Sequence, residues 1–329
     1  MDHFLQSKPW ARFQRSLGKT VHEVAGPGFN YLAIEEKNAV GRILYVPYGP
    51  VAASLPDLDA ALDSLRALAR KTNSYLVRLE PVSAGITGEE ADAVLGGRGL
   101  VRAPRDIQPA LSWLVDIDRD VTAVLGDMKS TNRNLYRNIH KKGVTFSISR
   151  NPEDIGILLG FLHQTAARSG FKPQSDEYLT AVARNLMPEG YASLFVASLD
   201  GQPIAAALAY DSADTRTYAH AAVDDRHRRL SAGVPLLVNL IVDAQEKGLT
   251  TVDLWGIAPE NQPDHKWAGF TSFKKSFGGR PVSYPGTWDM PVNRPVYLGY
   301  VLARRAAGAA RSGLRAGKQA LARIRPARS

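Results

Sequence analysis

Residues Asp253 to Gly279 read DLWGIAPENQPDHKWAGFTSFKKSFGG. The stretch opens as a short strand, crosses a polar loop that contains proline, and sets Phe273-Lys274 on a tight aromatic element closed by Gly278-Gly279. Trp255, Trp267, Phe270, Phe273 and Phe277 each suit a core. The lysines beside them do not, because a charged head in an aromatic wall must snorkel to water or meet a partner. A cation held among rings marks a candidate site for anionic or aromatic groups.

Working outward, the strand that opens this stretch ends a regular series. Helices are expected at Pro152 to Ser169 and Asp176 to Leu186, then strands at Ser193 to Leu199 and Ile204 to Tyr210, joined by an Asp200-Gly201 hairpin turn. A strand at Thr217 to Val223, a helix at Val234 to Lys247 and a strand at Thr251 to Trp255 complete the order. Helix, meander, helix, strand is the plan of an N-acetyltransferase-like domain. The first half repeats it less clearly, with a helix near Lys8 to Leu17 and strands at Thr20 to Val24, Asn30 to Glu35 and Arg42 to Pro47. A helix at Asp57 to Thr72 and a strand at Tyr75 to Leu79 follow. The expected fold class is α+β, with two tandem N-acetyltransferase-like (GNAT) domains. The first covers residues 1–145 and is completed by about 296–305, the second covers 146–295, and 306–329 form a basic C-terminal helix or tail.

Composition agrees with this plan. A chain of 329 residues with 44% hydrophobic content can bury one large core or two ordinary ones. No cysteine is present, which excludes disulfides and thiolate metal sites. His3 beside Asp2, His163 with Asp154, and His265 beside Asp264 lack metal-ligand spacing and read as surface or capping groups, so no metal is expected. No Gly-x-Ser-x-Gly elbow supports a serine hydrolase. The start lacks a leader pattern and no apolar run approaches a membrane span, so a cytoplasmic protein is expected. Of the formal net charge of +9, eight charges lie in Val301 to Ser329, which holds no acid. Such a tail is either a solvated terminus or an electrostatic contact for polyanions, an anionic membrane leaflet or RNA phosphates.

The motifs together resemble the FemABX family of transfer-RNA-dependent aminoacyltransferases. The resemblance runs from Phe4-Leu5-Gln6-Ser7 with Trp10, through Tyr45-Val46-Pro47 and Gly49-Pro50-Val51, to Arg78-Leu79-Glu80-Pro81. It continues in Met128-Lys129 with Arg133, Lys141-Lys142-Gly143-Val144, and Thr165 with Arg168, Gly170 and Phe171. It closes with the opening stretch and Gly286-Thr287-Trp288-Asp289. The family implies transfer of an amino acid from aminoacyl-tRNA to the stem-peptide diamino acid of a peptidoglycan precursor, lipid II or UDP-MurNAc-pentapeptide. It implies no cofactor beyond the aminoacyl-tRNA co-substrate, a monomer, and peripheral contact with an anionic membrane through the basic tail. The helix ending near Lys247 leaves no room before Thr251 for the long antiparallel helical arm of some members, so the compact, FemX-type form is expected.

Site residues follow from the same resemblance. Lys274 matches the family lysine near the transfer-RNA end, and Phe273 is placed to stack on the terminal adenine; these two are the catalytic candidates. Trp267 and Gly269 would shape the wall, with Tyr48 and Arg78 among the substrate contacts. Arg228 falls where some members hold the diphosphate of the muropeptide, on a turn with Arg226 and Arg229 just before a helix. The family's other phosphate contact is often a lysine shortly after the first Trp; here Gln14 stands there, and Arg15 or Lys19 is the substitute. Lys129, Arg133, Arg137 and Lys141 recur every fourth residue and form a one-signed stripe for the tRNA acceptor stem. Asp106, Glu80 and Asp253 remain open as general bases, as does neutral Lys274 itself.

Two readings from other classes stand beside this one. An acyl-coenzyme A enzyme needs a Gly-rich turn of free backbone N–H groups. The matching turn, Arg226 to Pro235, has one glycine and a proline where a donor is needed. A non-catalytic RNA-binding protein on the same fold is the other. Within the transferase class, a GNAT-fold aminoacyl or acyl transferase acting on another amine acceptor, a small metabolite or a protein amine, is a further alternative.

Overall fold

The computed structural model describes residues 3–82, 88–262, 265 and 267–306. The first half runs α1 (Lys8–Ser16), β1 (Val21–Gly26), β2 (Phe29–Lys37), β3 (Arg42–Val46), β4 (Val51–Ala52), α2 (Leu55–Lys71), β5 (Ser74–Leu79), α3 (Gly88–Gly97) and β6 (Val101–Arg102). The second runs β7 (Leu111–Asp116), α4 (Val121–Gly126), α5 (Ser130–Asn138), β8 (Val144–Ser149), α6 (Ile155–Ser169), α7 (Asp176–Leu186), β9 (Ala192–Leu199), β10 (Gln202–Asp211) and β11 (Thr215–Val223). It ends with α8 (Gly233–Glu246), β12 (Thr251–Gly256), α9 (Ala268–Lys275), β13 (Arg280–Ser283) and β14 (Trp288–Pro291). Residues 294–306 are helical.

Local chemistry sets these boundaries. Ser7 and Ser54 accept the N–H groups of Trp10 and Asp57 as N-caps, each followed by proline in the first helical turn, where its missing N–H costs nothing. Gly170 ends α6 in the left-handed region. Strand β10 alternates between two cores: Ala206, Leu208 and Tyr210 join one, Ala205, Ala207 and Ala209 the other. A strand buried on both faces needs helices on both, and α6 packs on one side of it and α8 on the other.

Two seven-stranded sheets result. The first has the order β1-β2-β3-β5-β14-β6, with β4 beside β2; the second has β13-β7-β12-β11-β10-β9-β8. Both contain an antiparallel meander, one parallel pair (β3 with β5, β11 with β12) and antiparallel strands beyond it. This is the expected tandem GNAT-like α+β plan, and α8 passes to β12 without a helical arm. Sheet membership departs from the expected division at 145/146 and 295/296. Strand β7 pairs with β12 and β8 with β9, so both belong to the second sheet, whereas β14 pairs with β5 and β6 in the first. The reason is pairing between strands far apart in sequence, which local periodicity does not carry. The helix at 294–306 then packs Val296, Tyr297, Tyr300 and Val301 on Ile43, Tyr75 and Leu76 of the first sheet. The basic tail beyond residue 306 lies outside the described residues.

The two halves share a core. Phe4, Trp10 and Phe13 from the N-terminal segment pack with Leu179, Val182, Leu186 and Tyr210 of the second half, and the Phe4 and Tyr210 rings stack at 4.9 Å. Burying three large aromatic side chains contributes on the order of several kcal/mol before entropy, so the N-terminus is pinned to the second sheet beside its parallel pair.

Candidate active site at the splayed parallel pair

Strand β11 pairs with β12 only over Thr215–Thr217 and Thr251–Asp253. Beyond Thr217, β11 continues against β10 to Val223, leaving Tyr218, Ala219 and His220 half-buried. Strand β12 meanwhile turns toward β7 through a register shift between Asp253 and Gly256. Trp255, inside that bulge, has φ of 66°, a left-handed value that costs a tryptophan roughly 1–2 kcal/mol. The bulge is held by Asp253, whose Oδ1 accepts the Trp255 N–H at 2.7 Å. Two parallel strands thus part at the place where the decisive stretch begins.

Lys274, on α9, meets the β12 side of this parting. Its Nζ donates to the Gly256 carbonyl, the last backbone acceptor of the bulge. Gly256 is required for this closeness: a Cβ there would stand 2.7 Å from both Pro109 Cγ and Trp267 Cζ3. Burial lowers the Lys274 ammonium to a pKa of about 8, with the Asp253 charge working the other way. Asp253, 3% exposed, is pushed up to about 6 by burial, against the Trp255 hydrogen bond and the Lys274 charge. A lysine near pH 8 can present a cation or, after losing one proton, an amine.

Behind Asp253 lies His3. Its Nδ1 accepts the Leu5 N–H, which assigns the ring proton to Nε2, and Nε2 faces Asp253 Oδ2 at 3.8 Å with no hydrogen-bond partner. Burial drops the imidazole to about 3, so it is neutral. The ring lies 3.8 Å from Tyr48 and 5.9 Å, edge-on, from Trp255. Burial, with the Asp253 charge second, raises both the Tyr48 and the Tyr284 phenols.

The structure brings together some of the sequence candidates and separates others. Lys274, Tyr48 and Trp267 converge around Asp253 and Gly256. Tyr48 is 1% exposed and donates to Pro109 O at 2.9 Å, so it supports the wall from behind. Phe273 is half-buried, edge-on to Phe277 at 5.0 Å. Gly269 is exposed on the first turn of α9 with open space around it, so no steric demand fixes a glycine there. Arg78 is elsewhere: it binds Asp289 with two hydrogen bonds of 2.7 and 2.8 Å across the β5/β14 ladder. Glu80, two residues on, accepts from Gln108 N, Tyr45 OH and Thr287 OH. Asp106 caps Thr287 N in the same first-domain cluster.

The cations divide similarly. Arg15 pairs with Glu23 at 2.7 Å and Lys19 with Glu36 at 3.1 Å. Arg228 is exposed on the turn Asp225–Leu230 and makes no ion pair among the described residues, whereas Arg226 binds Asp224. The expected stripe is interrupted, because α5 ends at Asn138 and a tighter turn holds Lys141 on Asn138 Oδ1 at 2.8 Å. Arg133 turns back onto the Gly126 and Met128 carbonyls, while Lys129 and Arg137 are exposed. His3 is the largest correction: it is buried against Asp253, not a surface group beside Asp2. His163 pairs with Asp176 at 2.9 Å instead of Asp154. No cluster that could hold a metal occurs among the described residues.

A parallel pair that parts beside a recessed cation is the candidate site of a tandem GNAT-like fold. A family profile described as an acetyltransferase (GNAT) domain matches residues 127–266. The chain is 24% identical over 154 residues to a lipid II:glycine glycyltransferase of Staphylococcus saprophyticus, covering 45% of this chain and 37% of that protein. It thus spans little more than a third of the curated relatives' length. Among solved structures, "Crystal structure of FemX" superposes with a TM-score of 0.80 at 18% identity, covering 90% of this chain and 94% of that one. A tandem GNAT protein from the clavulanic acid biosynthesis pathway superposes with a TM-score of 0.52 at 14% identity, over 84% of each chain. The resemblance to Fem proteins drawn from the sequence is therefore upheld, in sequence by the glycyltransferases and in fold by FemX.

Proposed function

We propose that this chain is an aminoacyltransferase that moves an amino acid from aminoacyl-tRNA to the stem-peptide amine of a peptidoglycan precursor. The observation that carries the proposal is Lys274: a cation desolvated at the mouth of the splayed pair and fixed on the Gly256 carbonyl. The donor ester is already activated, so the reaction needs alignment, a proton acceptor and stabilisation of an oxyanion. The acceptor nitrogen bonds to the ester carbonyl carbon, the ester C–O bond breaks, the ribose hydroxyl leaves and the amine gives up its proton. With a pKa near 8, Lys274 is mostly an ammonium at pH 7, and the protons not spent on Gly256 are available to the developing oxyanion or terminal phosphate. Phe273 supplies an aromatic edge for the terminal base, Arg228 a free guanidinium for the acceptor's diphosphate, and Lys129, Arg137 and Lys141 phosphate contacts for the acceptor stem. The glycyltransferase relatives point to lipid II as acceptor, and the basic tail to work at an anionic membrane surface.

The test is transfer of radiolabelled amino acids from a charged tRNA pool to lipid II and, separately, to UDP-MurNAc-pentapeptide, with Lys274→Ala beside the wild type. Label on one acceptor, reduced at least about 100-fold in the variant, is expected. Absence of transfer to both acceptors with tRNA binding retained would replace this reading with the RNA-binding one.

A further inference from the structure

Asp253 is buried, yet it is neither in ion-pair contact with Lys274 nor in a polar network that would explain a carboxylate there. Among the described residues its one hydrogen bond is from the Trp255 N–H, inside a bulge whose tryptophan sits in the left-handed region. That strained backbone turns the next carbonyl, Gly256 O, onto Lys274 Nζ. On the other side, the Nε2–H of His3 faces Oδ2, and His3 comes from the N-terminal segment that the shared core pins to the second sheet. A buried ring N–H without a hydrogen-bond partner, 3.8 Å from a buried carboxylate, costs stability.

We propose that Asp253 is the positioning residue of this site: its carboxylate holds the Trp255-Gly256 bulge that seats Lys274, and the neutral His3 ring, delivered from the first half, packs beside that carboxylate with its N–H 3.8 Å away. The inference rests on the proposed role of Lys274 and adds how the lysine is placed. Asp253 acts through the bulge and through its charge, without touching the reacting atoms. The ionisable groups around it are His3 from the N-terminal segment, Lys274 from α9, Tyr48 after β3 and Tyr284 after β13.

Two substitutions separate hydrogen bond from charge. Asn at this position keeps an oxygen for the Trp255 N–H and loses the charge, whereas Ala loses both. The first readout is the Lys274 pKa by NMR of 13C-methylated lysines, assigned with Lys274→Arg, which needs no activity. In Asp253→Asn the lysine stays seated without its counter-charge, so its pKa falls by about one pH unit. In Asp253→Ala the bulge relaxes, Nζ leaves Gly256 O for water, and the pKa rises toward the ordinary ~10.4. Opposite shifts support the positioning role; equal shifts, or none, overturn it. His3→Phe, which keeps a ring on Tyr48 and removes the N–H, is the second variant and covers failure of either Asp253 variant to fold. Loss of the nearby N–H raises the Asp253 carboxyl above its value of about 6, read by 13C NMR of the carboxyl carbon, while Lys274, which titrates near 8 with Asp253 still ionised, keeps its pKa. An unchanged Asp253 titration in His3→Phe overturns the His3 part. In the transfer assay, Asp253→Asn keeps kcat within about 10-fold with its pH profile displaced, and Asp253→Ala loses about 100-fold. Equal losses in the two would make Asp253 a proton acceptor instead. If wild type transfers nothing, the function reading fails while the NMR comparison still decides the positioning role.

Discussion

Replacing Lys274 by methionine should remove transfer and make the protein more stable, by an amount that depends on pH. The fold lowers this lysine from 10.5 to about 8 by burial. At about 1.4 kcal/mol per pH unit, that difference corresponds to roughly 3 kcal/mol set against folding. The sign follows from proton binding: the unfolded chain holds the lysine proton more tightly, so the penalty is full below about pH 8 and fades as pH rises toward 10.5. Methionine keeps the stem and its packing, and the attraction to Asp253 that it gives up is already contained in the lysine value of about 8. The expected gain at pH 7 is therefore about 3 kcal/mol, or roughly 4–6 °C in Tm for a chain of this size. At pH 5, below the Asp253 value of about 6, that carboxyl is neutral and the gain grows. At pH 10.5 it should fall below about 0.5 kcal/mol. Urea denaturation of wild type and Lys274→Met at the three pH values reads this directly. Destabilisation at pH 7 by more than about 1 kcal/mol, or a gain that does not vary with pH, would refute the idea that the site stores a desolvated charge.

Four other outcomes follow from the geometry. Arg216, fully buried between Asp211 and Asp243 with a hydrogen bond to Leu240 O, leaves two acids uncompensated when changed to Met; a loss of about 3–5 kcal/mol in urea titration is expected. Gly256→Ala forces a methyl against the Pro109 and Trp267 rings, so it should cost about 1–3 kcal/mol and most of the transfer activity, checked by denaturation and the label assay. Arg228→Ala should raise KM for the diphosphate-bearing acceptor about 10-fold with kcat unchanged, since the exposed guanidinium is proposed to contact the diphosphate and not the bond being made. Arg137→Ala should weaken tRNA binding and flatten its salt dependence, whereas Arg133→Ala should mainly lower stability, because Arg133 spends its guanidinium on the Gly126 and Met128 carbonyls; filter binding and thermal melts separate the two.

Much of the fold was readable where a local pattern carries it. Helix α7 runs Asp176–Leu186 as periodicity requires, and β9, β10 and β11 differ from expectation only at their ends. Strands β7, β13 and β14 escaped because the identity of each depends on a partner far along the chain. The site divides the same way. Lys274 announces itself as a charge among rings, and Trp267 as part of that wall. His3 gives no signal, since its meaning lies in Asp253, across the whole length of both domains. Arg78 illustrates the converse error: an arginine in a motif suggested a ligand, and cross-strand register gave it to Asp289. Nothing local distinguishes an arginine that waits for phosphate from one already satisfied by a neighbouring strand.

Strand β14 lies between β5 and β6, and it arrives only after the second sheet has been made. During synthesis, therefore, the N-terminal half waits with the inner edge of β5 unpaired while the C-terminal half completes its meander and parallel pair. A chain stopped before Trp288 carries the whole second sheet and an open first one. Such a fragment exposes a hydrophobic strand edge to any other chain. Emergence of Trp288–Pro291 is thus a folding step for the first sheet.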